Sequence, residues 1–177
     1  MVILILVAYG VGGFFSGVIR RLIGLVALYA GLFAATNMGL QAGGILVQSS
    51  SFELADGRIY GFFGILFALL LIVEVGTQIA HHQIQIPALS LNRTFGVAVG
   101  LLTGLVLSVV LVYELGAAAN PFGGPQLDPR QIRIRDAYNG SHVVVPIIRK
   151  IQKPFIVLLQ PALPNDPQIY FSGTVIQ

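Results

Sequence analysis

The chain has no cysteine and no tryptophan, and only 10% of its 177 residues are charged. The first absence excludes disulfides, thiolate metal sites and cysteine nucleophiles. The scarcity of charge excludes an ordinary soluble domain, in which about a quarter of the residues are charged. What fills the chain instead is apolar or small: 55% hydrophobic residues, 21 glycines and a mean hydropathy of +0.84. That composition belongs in a bilayer.

Further absences narrow the chemistry. There is no Gly-rich phosphate loop ending in Lys-Ser/Thr, no Gly-x-Ser-x-Gly, no His-Glu-x-x-His and no pair of catalytic carboxylates. No enzyme, cofactor or metal site is expected. His81 and His82 do not alter this, because adjacent side chains on a helix point about 100° apart and do not converge on one ion. The net charge is +3, but the basic residues flank apolar segments and are not interleaved with exposed aromatics. Anionic lipid headgroups are therefore the expected partner, and nucleic acid is not. The first apolar run has no positive stretch before it and no small-x-small cleavage site, so it reads as a retained anchor.

A helix crossing about 30 Å of hydrocarbon needs about twenty apolar residues at about 1.5 Å each. Four segments qualify: Met1 to Ile19, Leu22 to Leu40, Ile59 to Ile79 and Thr94 to Leu115. The expected fold is an all-α membrane protein with four transmembrane helices in two hairpins over residues 1–115, the first hairpin turning at Arg20-Arg21. Gln41 to Arg58, rich in Gly, Ser and acids, reads as an exposed loop. Ser90 or Asn92 reads as a cap for the fourth helix. Residues 116–140, with Pro121, Pro125 and Pro129, read as an irregular linker.

Residues 141–177 then supply a C-terminal amphipathic helix and tail. In VPIIRKIQKPFIVLLQP the apolar Ile147, Ile148, Ile151, Phe155, Leu158 and Leu159 recur at helical spacing, with Pro154 as a kink. Arg149, Lys150 and Lys153 occupy other faces, which suits a helix lying in the interface of an anionic membrane. Packing against the chain's own spans is the alternative.

Two features within the spans stand out. Gly96, Gly100, Gly104 and Ser108 form a stripe of small residues on the fourth span, fitted for close helix packing, either within the unit or against another subunit or membrane-protein partner. Glu74 lies about five residues inside the end of the third span, roughly 8 Å deep by helical rise. Alternating spans put Arg20, Arg21, His81, His82 and Arg93 on that same side. An unpaired carboxylate at such depth costs about 2.5 to 3.5 kcal/mol, so a salt bridge from Arg93 or one of the paired arginines is expected. A proton or ion relay through Glu74 and His81 is the sharper alternative. Glu114, near the other end of the fourth span, is expected to snorkel to water.

The stretches GFFSGVIRRLIGLVALYAG and LNRTFGVAVGLLTGLVLSVVLVYEL together resemble the colicin V production protein (CvpA) family of bacterial inner-membrane proteins. Gly17 and Arg20 match its basic first turn, Arg93, Gly96, Gly100 and Gly104 match the start of its fourth span, and Ser141 to Pro146 resembles the start of its C-terminal helix. The likeness covers roughly Met1 to Leu159. Ser16 stands where the family has an Arg, Arg21 where it has a Glu and Asn92 where it has an Asp, and no acid opens the first span. The resemblance implies a multi-pass inner-membrane protein of four spans, named for a requirement in toxin production, and implies no catalytic residues. The rival expectation is an accessory structural subunit of a respiratory or photosynthetic complex.

Overall fold

The computed structural model describes residues 1–80, 89–122 and 129–172, and no strand occurs among them. Three long helices come first: α1 (Val2–Ser49), α2 (Leu54–Ala80) and α3 (Leu89–Ala119). Short ones follow: α4 (Pro129–Asn139), α5 (Val144–Leu159), a 3₁₀ turn (Gln160–Ala162) and α6 (Pro167–Tyr170). Within α1, α2 and α3, Val2–Ser49, Leu54–Ile79 and Leu91–Ala119 are long and apolar enough to cross a membrane.

Helix α1 cannot be one straight rod across a bilayer. Its 48 residues would extend about 72 Å, more than twice a hydrocarbon core of about 30 Å. It is broken at Gly17, whose φ of 76° and ψ of 175° lie in a region open to glycine alone. Beyond the break the chain folds back, because the Arg21 guanidinium lies 5.5 Å from the centre of the Tyr9 ring. Twelve residues of straight helix would separate those two backbones by about 18 Å. The turn expected at Arg20-Arg21 therefore sits at Gly17. An arginine at positive φ would be strained, and the glycine three residues earlier is not.

The break frees backbone donors, and an amide from another helix takes one of them. Val18 N–H donates to Asn92 Oδ1 at 2.9 Å. Asn92 does not cap α3, which already starts at Leu89; its side chain serves the start of the second half of α1 instead. A Cβ on Gly17 would lie 2.5 Å from Asn92 Nδ2, so the same site requires glycine for space as well as for conformation.

The chain forms two compact units, each assembled from separated stretches: Met1–Gly31 with Phe67–Ser108, and Leu32–Leu66 with Val109–Gln177. These divisions differ from the sequential ones over 1–115, 116–140 and 141–177, because each long helix contributes one part to each unit. In the first unit, the start of α1 runs antiparallel to α3 in four-residue steps. Gly104 approaches Ile5 and Tyr9, Gly100 approaches the Tyr9 carbonyl, and Gly96 approaches the Gly13 carbonyl. A Cβ on Gly13 or Gly96 would collide with the other residue's backbone. Ser108 is buried and donates to the Gly104 carbonyl at 2.7 Å.

In the second unit, α1 and α2 approach closely where a Cβ on Gly43 would lie 2.6 Å from the Gly57 oxygen. The core there contains Leu32, Phe62, Leu66, Val109, Val110 and Phe171. Phe62 and Phe171 meet edge to face with ring centres 5.5 Å apart, a geometry aromatic pairs favour. The expected exposed loop from Gln41 to Arg58 is instead mostly helix, with Asp56 and Arg58 buried. These polar residues are matched by protein partners: Arg58 donates to the Ser172 carbonyl at 2.5 Å, and Arg130 pairs with Asp56 at 3.0 Å. The expected irregular linker likewise contains α4, with Pro129 at its first position, where the missing N–H costs nothing. Burial pushes the Tyr170 phenol above its ordinary pKa, with the nearby Glu114 adding to the effect. Tyr170 therefore stays a protonated donor to the Ala35 carbonyl at 3.0 Å.

Substituting Gly17→Ala should lower stability by about 1 to 3 kcal/mol, the usual cost of placing a side chain in that backbone region. Unfolding in detergent micelles measures it. Asn92→Ala should destabilise less once Gly17 is changed than before, since the two act at one break.

Candidate functional site

A polar cluster of the first unit lies just past the Gly17 break. The second half of α1 begins there, so Arg20 and Arg21 fall on its first turn and face the last turns of α2. Arg20 Nη2 donates to Glu74 Oε1 at 2.6 Å and to the Glu74 carbonyl at 3.1 Å, and its Nε donates to Thr77 Oγ1 at 3.1 Å. Thr77 Oγ1 also bonds back to the Val73 carbonyl, which holds it in place for the arginine. Arg21 lies 3.5 Å from the same carboxylate oxygen, donates to Ser16 Oγ at 3.0 Å and stacks its guanidinium over Tyr9.

Two cations thus share one anion. Arg21 is only 6% exposed, and its Nε has no hydrogen-bond partner among the described residues. The Glu74 side chain is 40% exposed, so one end of the cluster reaches the surface while the other is enclosed. An acid held by two guanidinium groups is an electrostatic clamp between α1 and α2.

Arg93 does not join it. Its guanidinium lies 5.4 Å from the centre of the Phe14 ring, on an exposed position of α3, and it makes no ion pair with Glu74 among the described residues. The clamp is made by the paired arginines because they sit beside α2, whereas Arg93 sits beside the first half of α1. His81 and His82, expected on the same face, lie outside the described residues. The small residues Gly96, Gly100 and Gly104 line the approach of α3 to Tyr9 and Gly13, and Ser108 turns its hydroxyl back onto its own helix.

In the second unit, α5 presents three kinds of surface. Ile148 and Leu159 are buried against the protein, while Ile147, Ile151 and Leu158 are exposed along one face at spacings of four and seven residues. Arg149, Lys150 and Lys153 are also exposed, on the remaining arc. Pro154 lies inside the helix without ending it.

Glu114 departs from expectation. It is completely buried, and neither carboxyl oxygen has a hydrogen-bond partner among the described residues. Its snorkelling route is closed because the C-terminal segment packs over the end of α3, with Ala117, Ala118, Leu163 and Tyr170 all buried. The Phe122 N–H donates to the Gln168 carbonyl at 3.1 Å and ties that segment down. The sequence does carry a signal for this: the tail PFIVLLQPALPNDPQIYF is apolar enough to be a lid.

A family model described as Colicin V production protein matches residues 1–148 of the chain. No curated protein and no solved structure matches it.

Glu74→Gln should destabilise the folded state by about 2 to 3 kcal/mol, since it leaves the enclosed Arg21 without its counter-charge. Arg93→Gln should cost less than about 1 kcal/mol, the worth of an exposed cation–π contact. Unfolding of the two variants in the same micelles separates them.

Proposed function

Because the chain belongs to the colicin V production protein family, we propose that it is a four-span, multi-pass protein of the bacterial inner membrane. In this reading it acts without catalysis, through helix packing and contacts with lipid or protein, in toxin production, secretion or another envelope process. The two halves of α1 on either side of Gly17, with α2 and α3, would be the four spans. The stripe Gly96, Gly100, Gly104 and Ser108 would serve as a packing seam of the small-x-x-x-small kind. Glu74 with Arg20 and Arg21 would pin the first span pair to α2, a structural role that uses three charges the bilayer disfavours.

One observation supports the membrane-surface part of this reading most directly. Helix α5 keeps Ile147, Ile151 and Leu158 exposed beside Arg149, Lys150 and Lys153. An apolar stripe next to a basic arc suits an amphipathic helix resting on anionic headgroups, where each nearby Lys or Arg adds about 1 kcal/mol.

The native absence of cysteine makes topology directly testable. In sealed vesicles, single cysteines at Val2 and Ser50 should react with a membrane-impermeant maleimide from the same side, and one at His82 from the opposite side. Val2 and Ser50 labelling from opposite sides would mean that α1 crosses once, and the four-span reading would be wrong. Purified in mild detergent, the chain should run alone or as a homo-oligomer; stoichiometric copurification with a large respiratory or photosynthetic assembly would favour the accessory-subunit reading instead.

A further inference from the structure

The second unit contains a polar cavity of about 660 Å³ at the end of α3. Its wall combines the last turns of α3, Tyr138 of α4, Arg149 and Gln152 of α5, and the turn into α6 at Asn165 and Asp166. Two features of that wall point to a ligand. Arg149 makes no ion pair among the described residues, and its guanidinium lies 5.9 Å from the centre of the Tyr138 ring. The Gln152 Oε1 is buried and has no hydrogen-bond partner among the described residues. A buried acceptor left unmade costs about 1 to 3 kcal/mol, so the site wants a donor as well as an anion.

A phosphodiester alone would answer Arg149 but brings no N–H or O–H for Gln152. A group that holds both a phosphate and a primary ammonium answers both. Asp166 on the same wall supplies a negative charge for the ammonium; its Oδ1 already accepts from the Gln168 and Ile169 backbones, which fixes the carboxylate in position. Arg149 and Asp166 do not pair with each other, so opposite charges stand apart on one wall, as a zwitterion requires. The cavity lies beside Tyr113, Gly116 and Ala117, in the last two turns of the apolar stretch Leu91–Ala119. In a helix that crosses the bilayer, those turns stand at headgroup depth.

We propose that this cavity is a binding site for a phosphate–ammonium headgroup, with the phosphate on Arg149 and the ammonium between Gln152 and Asp166, and that its source is a membrane aminophospholipid. The assignment rests on α3 spanning the membrane, and not on how often α1 crosses it. It differs from the anionic-surface role of α5, since it selects by headgroup structure and not by net charge.

The test uses the full chain in detergent micelles doped equally with phosphatidylethanolamine, phosphatidylcholine and phosphatidylglycerol, with retained lipid read by native mass spectrometry. Phosphatidylethanolamine should be retained about tenfold over phosphatidylcholine, whose quaternary ammonium offers no N–H, as expected for one charge-assisted hydrogen bond. Arg149→Gln should abolish retention of both. Gln152→Leu should bring the ratio close to one. Lys150→Gln with Lys153→Gln should leave it unchanged, which separates the cavity from the two lysines of the basic arc. Equal retention of ethanolamine and choline lipids would overturn the proposal, as would loss of retention in the two-lysine variant alone. Soluble phosphoethanolamine forms the second arm: if it binds while the lipid is not retained, the ligand is a free solute and the lipid assignment fails. Circular dichroism on each variant checks folding, and the vesicle-labelling result at Val2 and Ser50 stands or falls separately.

Discussion

A hydrocarbon environment offers no water to a broken helix, and much of the first unit follows from how one break is satisfied. Gly17 lets α1 reverse, Asn92 Oδ1 accepts the Val18 N–H, and α3 must therefore lie beside the break. Once α3 is anchored there, the antiparallel steps follow, from Gly96 on Gly13 to Gly100 on Tyr9 and Gly104 on Ile5. Backbone satisfaction sets the register, and small residues make it sterically possible.

The charges then fall into place as a consequence of that reversal. With the turn at Gly17, Arg20 and Arg21 are carried to α2 and meet Glu74 and Thr77. The arrangement concentrates an excess of positive charge at one buried point, softened by Ser16, Tyr9 and the partly exposed end of Glu74. The second unit handles its polar groups differently. Arg58 is spent on backbone carbonyls of the C-terminal segment, Asp56 on Arg130, and Glu114 is enclosed under a lid that contains Tyr170 and Phe171.

Part of this arrangement is legible in the amino-acid sequence. That Glu74 needs a cation follows from its depth in an apolar run, and that two helical segments meet near Arg20 follows from the length of the first apolar stretch. Which arginine reaches Glu74 does not follow, because Arg93 and Arg20 are equally near the same end of the spans and differ only in the helix they face. The stretch from Gln41 to Arg58 misleads for a related reason. Its glycines, serines and acids look like a solvated loop, yet the same residues serve close helix approach at Gly43 and Gly57 and buried pairing at Asp56 and Arg58. The burial of Glu114 is illegible locally because it depends on a lid some fifty residues later in the chain.

Composition and periodicity by themselves determined that the chain is helical and apolar enough for a bilayer, and they divided its apolar sequence into four candidate spans where three long helices stand. Those properties are local, set by side-chain hydropathy and by spacing along a helix. Only the tertiary structure decided where α1 reverses, which cations hold Glu74, that Glu114 is buried, and that its carboxyl oxygens and the enclosed Gln152 amide oxygen are unpartnered among the described residues. Those outcomes depend on which residues from distant parts of the chain come within about 3 Å of each other, the range over which hydrogen bonds act, and that is a property of packing.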